Sequence, residues 1–314
     1  MTREKLQKLI DDLSDNSPLN YLGEQGGAGG SPATAQDVDK DNYAKNNLNA
    51  KGITAEMLGA DVASGLIGMR FFQRPVFSIT CADAPGFAEI KRPELVGPHH
   101  LMPRDWLPDA KTVISIFLPY SRSTVEANKA DPIEPAMEWL FTRVDGQQFL
   151  LAIGAEVRDA FIADGFKAVT PYTEDKYIMQ TGPRPMPGTE HVPPFSSNWS
   201  ERHIGVVTGL GTFGLSTNFI SRAGCAGRII SVITDWEIEP DARDYDDWLG
   251  YCNRCGACIR RCPAQAHFKD RQGKDHAVCG AFIGKTCAKY APRYGCGKCQ
   301  SGIPCEYEPQ KQKP

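Results

Sequence analysis

Residues 251–306 read YCNRCGACIRRCPAQAHFKDRQGKDHAVCGAFIGKTCAKYAPRYGCGKCQSGIPCE. Nine of the chain's eleven cysteines lie in this stretch. The first four have the spacing C-x2-C-x2-C-x3-C and are followed at once by Pro263: Cys252, Cys255, Cys258 and Cys262. Thiols packed this densely indicate a common role as ligands.

The spacing predicts an iron–sulfur cluster. The same run holds a 4Fe-4S cluster in bacterial-type ferredoxins, where three cysteines two residues apart wrap one side of a cube. The fourth cysteine ligates the other cluster in proteins that have two. Pro263 turns the chain away after that ligand and removes one N–H donor. The run therefore predicts a second set of cysteines further along.

The second set is expected to cross with the first. The first cluster is assigned Cys252, Cys255, Cys258 and Cys305. The second cluster is assigned Cys262, Cys279, Cys296 and Cys299. Cys287 is left over. Five residues separate Cys299 from Cys305 where a ferredoxin's second motif has three, so Cys305 has the least regular spacing of the eight.

Three other uses of these cysteines compete with this interpretation. Disulfides fit poorly, because the cysteine count is odd and no export signal is seen. Paired C-x2-C units also make zinc sites, but the first run packs four thiols too densely for one tetrahedral zinc. A single cluster with spare thiols remains open.

The composition is that of an ordinary globular protein, with 314 residues, 41% hydrophobic and 23% charged. The net charge of -3 argues against a nucleic-acid binder that works by neutralising phosphates. No apolar run is long enough to span a membrane. The first residues lack the pattern of a secretory signal, so we expect the protein to reside in a reducing cytoplasm.

The N-terminal region predicts a helix and a linker. Leu6, Leu9, Ile10 and Leu13 share one helical face over residues 4–13. Residues 23–36 are rich in glycine and alanine and predict a flexible linker. This arrangement is compatible with an arm exchanged in a homodimer. The linker's glycines do not fit a phosphate loop, because no strand precedes them and no GK[ST] follows.

The middle of the chain alternates between helical and strand patterns. Strands are predicted at Arg70–Thr80, Lys111–Tyr120, Lys167–Pro171 and Arg228–Asp235, the second buried on both faces. Helices are predicted at Thr54–Gly65, Ile133–Arg143, Gln147–Asp164 and Ser200–Val207. Gly165 sits where a helix C-cap belongs. Residues 93–110 carry four prolines and predict an extended connection.

Two segments are candidates for a binding site. Residues 171–200 are long, polar and proline-rich, which is typical of an active-site rim. Residues 208–221 read TGLGTFGLSTNFIS and place Gly209, Gly211 and Gly214 around Phe213. These glycines follow a predicted helix and not a strand, so they are not a dinucleotide fingerprint. They indicate either tight turns or backbone pressed against a flat ligand.

The chain resembles the superfamily of epoxyqueuosine reductases and reductive dehalogenases. The order that carries the resemblance is GLGTFGLSTNFIS, a strand ending in TD, the C-x2-C-x2-C-x3-CP run, an isolated cysteine, and YGCGKC at residues 294–299. It covers roughly residues 105–306. The glycine segment is similar to the family's AGLGWIGK-type segment.

The resemblance implies an α+β fold: a nitroreductase-like, cobalamin-binding core followed by a bacterial-type two-cluster ferredoxin domain. The implied domains are an N-terminal helix and linker (1–48), a cofactor- and substrate-binding domain (49–245) and a ferredoxin-like domain (246–314). The implied corrin-lining residues are Gly209, Gly211, Phe213, Gly214 and Ser216. A flavin in the same place is an alternative.

The sequence departs from the family at one position of consequence. The tRNA-modifying members carry a proton-donating aspartate just before the glycine motif, and Phe195 stands there in this chain. Candidate proton donors are therefore Tyr172, Tyr177 and His203. His99 and His100 are expected on the surface, and Cys81 and Cys225 are expected to be buried small hydrophobes.

The expected function is an iron–sulfur oxidoreductase that delivers electrons from two clusters to a cobalamin, for reduction of a small molecule or modified nucleoside. The alternative is a ferredoxin-type electron-transfer or corrinoid-activating protein with no substrate of its own. Either would need a low-potential electron donor such as a ferredoxin or flavodoxin. No membrane or nucleic-acid partner is expected.

Overall fold

The structure is a computed structural model that describes residues 1–23 and 64–311. The predicted linker at 23–36 lies outside the described residues except for Gly23. The predicted helix Thr54–Gly65 lies outside them except for its last two residues, which belong to a 3-10 turn at Ser64–Leu66.

Helices and strands are mixed along the described part of the chain. The helices are α1 (Arg3–Asn16), α2 (Gly86–Ile90), α3 (Pro103–Trp106), α4 (Arg122–Ala130), α5 (Met137–Val144), α6 (Gln147–Ala163), α7 (Glu201–Val207), α8 (Ala257–Arg260) and α9 (His276–Tyr290). The strands are β1 (Val76–Cys81), β2 (Thr112–Pro119), β3 (Ala168–Val169), β4 (Met179–Thr181), β5 (Phe195–Ser197), β6 (Gly211–Phe213), β7 (Phe219–Ser221) and β8 (Gly227–Thr234). The mixture agrees with the coarse α+β class, whereas the nitroreductase-like core and the ferredoxin domain stay predictions. Over the same residues, no helix has the length and apolar character needed to cross a membrane.

One antiparallel sheet of four strands organises the fold, in the order β1-β2-β8-β3. All eight residues of β2 are buried, which confirms the strand predicted from its run of β-branched and aromatic residues. The strands β8 and β3 confirm the predictions at Arg228–Asp235 and Lys167–Pro171.

Helices cover both faces of this sheet. A Cβ placed on Gly154 of α6 would lie 2.6 Å from Ile230 Cδ1, and one placed on Gly205 of α7 would lie 2.7 Å from Ile229 Cδ1. Neighbouring residues of a strand point to opposite faces, so α6 and α7 lie on opposite sides of β8. Both helices were predicted. Because Gly154 and Gly205 have no side chain, each helix packs closely on the sheet.

Some predicted boundaries were wrong. The strand predicted from Arg70 begins only at Val76, since Arg70 and Phe72 make isolated bridges. The segment 93–110 is not fully extended, because Pro103 opens the short helix α3 from its first position, where a missing N–H costs nothing. The stretch 171–200 is partly regular and contains the β4–β5 hairpin.

The N-terminal helix docks on the body of its own chain. Leu6 and Ile10 are fully buried in the main hydrophobic core, as the apolar face predicts. The Arg3 guanidinium lies 2.9 Å from a carboxylate oxygen of Asp241, and the N-terminal ammonium lies 2.7 Å from Asp164. The exchanged arm of a homodimer stays a prediction.

A buried ion pair fastens the cysteine-rich tail to this body. Arg293, just after α9, donates Nε to Asp145 Oδ2 and Nη2 to Asp145 Oδ1, both at 2.8 Å. Asp145 lies between α5 and α6, and the two side chains are 0% and 2% exposed. The two-pronged geometry offsets part of the cost of removing both charges from water.

We expect Asp145→Ala to lower the free energy of unfolding by about 3–5 kcal/mol, because Arg293 would keep a buried charge without its partner. Urea unfolding of the as-isolated protein measures this. The matched control is Asp159→Ala, whose ion pair with Arg158 is exposed and should be worth less than about 1 kcal/mol. Equal effects of the two substitutions would contradict the assigned role.

Candidate functional site

All eleven cysteines are free thiols in the structure. The first run of cysteines passes through a loop and the single turn α8, and Gly256 enters that turn with φ +69°, a conformation that favours glycine. Cys255 is exposed, whereas Cys252, Cys258 and Cys262 are partly buried. In the described ranges no three Cys, His, Asp or Glu side chains converge as the ligands of one metal ion would.

Three thiols of the first predicted set, those of Cys252, Cys258 and Cys305, pack around one apolar cluster. Burial raises the pKa of the Cys258 thiol to about 11, and the charges of Cys299, Cys305 and Cys252 contribute in the same direction. A hydrogen bond with the Ser216 hydroxyl acts in the opposite direction. Cys258 therefore has thiols of both predicted sets as electrostatic neighbours.

The second predicted set forms a similar group. Burial raises the pKa of Cys296 to about 12, with contributions from Cys299 and Cys262. Burial also raises the pKa of Cys279, and the same two thiols contribute. Cys299 interacts with members of both sets and so lies between them. The ligand assignment itself stays a prediction.

The loop that carries Cys296 and Cys299 is anchored by Asn128 at the end of α4. The Asn128 amide donates to Cys296 O at 3.1 Å and to Ser301 Oγ at 2.9 Å. The Lys298 ammonium donates to Asn128 O at 2.7 Å. Burial lowers the pKa of Lys298 to about 8, although the Cys296 charge favours its protonated form. The anchor thus places a basic group within the second cysteine group.

Cys287, the cysteine left unassigned, lies on α9 and packs against the main core. The two cysteines outside the tail behave differently from each other. Cys225 is buried, as expected, but the expectation for Cys81 was wrong, because it is the last residue of β1 and is exposed where the strand leaves the sheet.

The glycine segment forms a hairpin of β6 and β7. In the described residues, this hairpin packs against other parts of the protein. A Cβ on Gly211 would lie 2.1 Å from Ile220 O across the hairpin. Gly209 has φ +85°, which fits the tight turn after α7. Phe213 stacks on Trp248 at 6.3 Å between ring centroids. These contacts account for two of the glycines by turn and strand geometry.

The same hairpin seats the cysteine-rich tail. The Ser216 hydroxyl interacts with the Cys258 thiol. The Asn218 amide donates to Cys299 O at 2.8 Å, and the Gln272 amide donates to Gly214 O at 3.0 Å. All five residues that the resemblance assigns to a corrin are buried: Gly209, Gly211, Phe213, Gly214 and Ser216.

The structure brings two of the candidate proton donors together. The rings of Tyr172 and Tyr177 lie 4.9 Å apart between centroids. Burial raises the pKa of Tyr177 well above its usual range, and Tyr172 and Glu201 add to the shift. The phenol therefore keeps its proton at neutral pH.

His203 lies elsewhere and is a poor proton donor. Its Nδ1 is 2.8 Å from Ser200 Oγ, and its ring packs on Phe213 at 4.7 Å between centroids. Burial lowers the pKa of His203 to about 3, and Arg202 adds to this. The imidazole is therefore neutral at physiological pH and has no extra proton to give.

The expectation that His99 and His100 lie on the surface was wrong. Both are buried, because segment 93–110 packs against the β4–β5 hairpin and α7. His100 Nε2 accepts a hydrogen bond from Ser200 N at 3.0 Å, and the ring stacks on Trp199. His99 Nε2 lies 2.8 Å from Ser196 Oγ.

Sequence reasoning missed two charged residues at the start of α7. Burial raises the pKa of Glu201 to about 8, and hydrogen bonding with Ser231 acts in the opposite direction. Burial lowers the pKa of Arg202, whereas Cys299 and Tyr177 stabilise its charge. Glu201, Arg202 and Tyr177 thus connect the polar stretch to the second cysteine group.

The resemblance places Phe195 where the tRNA-modifying members carry an aspartate. It lies on β5, is 39% exposed and stacks on His276 of α9 at 5.8 Å between centroids. This position therefore offers an apolar face and no carboxyl group.

A cavity of about 100 Å³ opens between α2, α7 and residues 243–248. Its lining includes Glu89, Arg243, Asp246 and Asp247. This volume is well below the roughly 300 Å³ of a typical small-molecule site, so it does not accommodate a large cofactor.

The chain is similar in structure to epoxyqueuosine reductases and a reductive dehalogenase. A selenomethionine-labelled epoxyqueuosine reductase matches at 19% identity and a TM-score of 0.44, over 75% of this chain and 65% of its own. Epoxyqueuosine reductase from Streptococcus thermophilus matches at 17% and 0.41, over 76% and 65%. A reductive dehalogenase described in terms of B12-dependent dehalogenation matches at 16% and 0.41, over 88% and 34%.

These solved structures are all longer than the part that this chain matches, which is under two thirds of each. No protein-family model matches the sequence. The search of curated proteins gives no match either.

We expect the buried Glu201 to make stability fall as pH rises. Its carboxyl keeps its proton in the folded chain up to about pH 8, whereas in the unfolded chain it ionises near 4.5. The contribution of Glu201 to the free energy of unfolding is therefore fully present below pH 4.5. The free energy of unfolding then falls between pH 4.5 and about 8, with a slope of up to about 1.4 kcal/mol per pH unit, and levels off at higher pH.

The measurement is the free energy of unfolding at several pH values for the protein and for Glu201→Gln, which cannot ionise. The variant should gain stability relative to the unchanged protein between about pH 5 and 8. Parallel pH profiles for the two proteins would show that Glu201 ionises as it does in water.

Proposed function

We propose that this chain is an iron–sulfur oxidoreductase whose cysteine-rich tail holds two 4Fe-4S clusters and delivers single electrons to an acceptor in the α+β part. The observation that supports this most directly is the grouping of the thiols. Cys252, Cys258 and Cys305 pack around one apolar cluster, and Cys279 and Cys296 both have Cys262 and Cys299 as electrostatic neighbours. This grouping supports the crossed ligand assignment that the spacing predicts.

The chemistry of the donors fits such clusters. Cysteine thiolates are the usual ligands of 4Fe-4S clusters, which supply one-electron transfer when bound. Hydrogen bonds to ligand sulfurs raise the reduction potential, and Ala266 N already donates to Cys262 Sγ at 3.4 Å. Lys298 and Arg202 place positive charge beside the second group.

Tyr177, Glu201 and Arg202 are the proposed proton-handling group. Glu201 carries a proton up to about pH 8, and Tyr177 carries one at higher pH still. Arg202 interacts with Tyr177 and with Cys299, so it links this group to the second cysteine set. A reduction that takes up protons as well as electrons would find both near α7.

The identity of the electron acceptor is a separate part of the proposal. The resemblance names cobalamin, with flavin as an alternative, and a small molecule or modified nucleoside as substrate. In the described residues, the segment assigned to the corrin packs on protein and seats the tail, so it does not present an open face there. We therefore derive no step through a corrin.

The closed hairpin favours a second candidate function. A chain that holds two clusters and no corrin would be an electron carrier, or would activate the corrinoid of another protein. In either case a low-potential ferredoxin or flavodoxin is the proposed donor, and a cytoplasmic location is the proposed setting.

The test of the clusters is iron analysis of anaerobically purified protein after reconstitution with iron and sulfide. About eight irons per chain are expected, four for each cluster. Cys258→Ser and Cys262→Ser should each lose about four, because each removes a ligand from a different cluster. The control is Cys81→Ser, an exposed thiol on β1, which should lose none.

Zinc in place of iron would refute the proposal. Iron loss from one variant only would leave a single cluster with spare thiols. Cobalt retained after incubation with cobalamin would support the reductase, and eight irons without cobalt would support the electron carrier.

We expect Arg202→Gln to lower the reduction potential of the second cluster by about 40 mV. A positive charge near a cluster favours the reduced state, and about 1 kcal/mol of Coulomb energy corresponds to roughly that shift for one electron. Redox titration followed by electron paramagnetic resonance measures the change. Arg202→Lys keeps the charge and should restore most of the potential; an unchanged potential in both variants would place Arg202 too far away to matter.

A further inference from the structure

Cys225 lies outside the cysteine-rich tail but touches it. It stands between β7 and β8 and is 1% exposed. Its Sγ lies 3.8 Å from Sγ of Cys305. A disulfide bond is about 2.05 Å long, so these are two separate thiols in contact.

The backbone fixes this contact. Cys225 N donates to Cys305 O at 2.9 Å, and the Gln300 amide donates to Cys225 O at 2.7 Å. A Cβ on Gly224 would lie 2.3 Å from Glu306 O, so only glycine allows the two chain segments to approach this closely. The paired backbones therefore hold the two side chains next to each other.

Two touching thiols cannot serve two corners of one cube. Each iron of a 4Fe-4S cluster takes one terminal thiolate, and these ligands point away from one another. Cys225 and Cys305 can thus offer only one ligand between them to a given cluster. Cys225 belongs to the apolar cluster against which Cys252, Cys258 and Cys305 pack, so it lies beside the same thiols as Cys305 does.

We propose that Cys225 and Cys305 are interchangeable fourth ligands of the first cluster. This rests on the proposed function, because it requires a cluster held by Cys252, Cys255 and Cys258. In the exchange, the bond from iron to Cys305 sulfur breaks and a bond from the same iron to Cys225 sulfur forms. The proton leaves Cys225 and passes to Cys305, and no electron is gained or lost.

The sequence spacing agrees with a shared corner. Cys305 follows Cys299 after five residues where a ferredoxin has three, so its position along the tail is irregular. Cys225 comes from the sheet domain, 80 residues earlier in the chain. It would tie the first cluster directly to the strand that follows it, β8.

The experiment compares Cys225→Ser, Cys305→Ser and the double variant in the full-length, reconstituted protein. The readouts are iron and sulfide per chain and the electron paramagnetic resonance spectrum of the reduced protein. Each single variant should keep about eight irons, because the other thiol takes the place, and the double variant should keep about four. The two single variants should also differ in spectrum, since the ligand comes from a different direction.

The control variants separate this inference from the proposed function. Cys258→Ser should lose about four irons on its own if a first cluster exists. Cys81→Ser should lose none. Far-ultraviolet circular dichroism and the four irons of the second cluster report whether the double variant is folded.

Three results would overturn the inference. Loss of four irons from Cys305→Ser alone would make Cys305 the sole fourth ligand. The same loss from Cys225→Ser alone would assign the corner to Cys225 only. Eight irons in the double variant would show that neither thiol is a ligand. If Cys258→Ser loses no iron, the proposed function fails first.

Discussion

The buried amide of Asn128 joins the helical body to the tail that carries the chemistry. It donates to Cys296 O and Ser301 Oγ, accepts from Ala136 N, and lies beside the Lys298 ammonium. Buried polar groups are costly when they lack partners, and one side chain here satisfies several at once. Asn128 therefore holds the Cys296 side of the second cysteine pair, while the Asn218 amide holds Cys299 O.

The opposite side of the tail rests on the β6–β7 hairpin. Ser216, Asn218 and Gly224 each contact a different part of it. The segment is rich in glycine because two stretches of backbone must approach closely, both within the hairpin and against the tail. A glycine-rich segment that looks like a ligand cradle in the sequence thus acts, in the described residues, as a seat for another part of the chain.

The elements that could be predicted are those specified by local pattern. The buried strand β2 is visible in its apolar run, and α6 is visible in its helical period. The cluster ligands stay a prediction from spacing alone, because a cluster needs few residues at fixed intervals. The short strands β6 and β7 could not be predicted, since three residues with glycine carry no periodic signal.

The surroundings of the site depended on contacts between distant segments. His100 accepts a hydrogen bond from Ser200, a hundred positions later in the chain, and this contact is part of the packing that buries its ring. Glu201 looks like an ordinary first-turn acid, and only the packing of α7 on the sheet removes its carboxyl from water. Cys225 looks like a small hydrophobe until Cys305 is placed beside it. No local pattern contains these pairings.

The residues that contact the cysteine-rich tail precede it in the chain, and this order has a consequence for biosynthesis. Asn128, Ser216, Asn218 and Cys225 all precede Tyr251, so the ribosome completes the surface that receives the tail before it makes the tail's first cysteine. Domains fold in this direction during synthesis. The nascent thiols therefore emerge next to their docking surface, which shortens the time in which they are exposed to stray metal ions and oxidants.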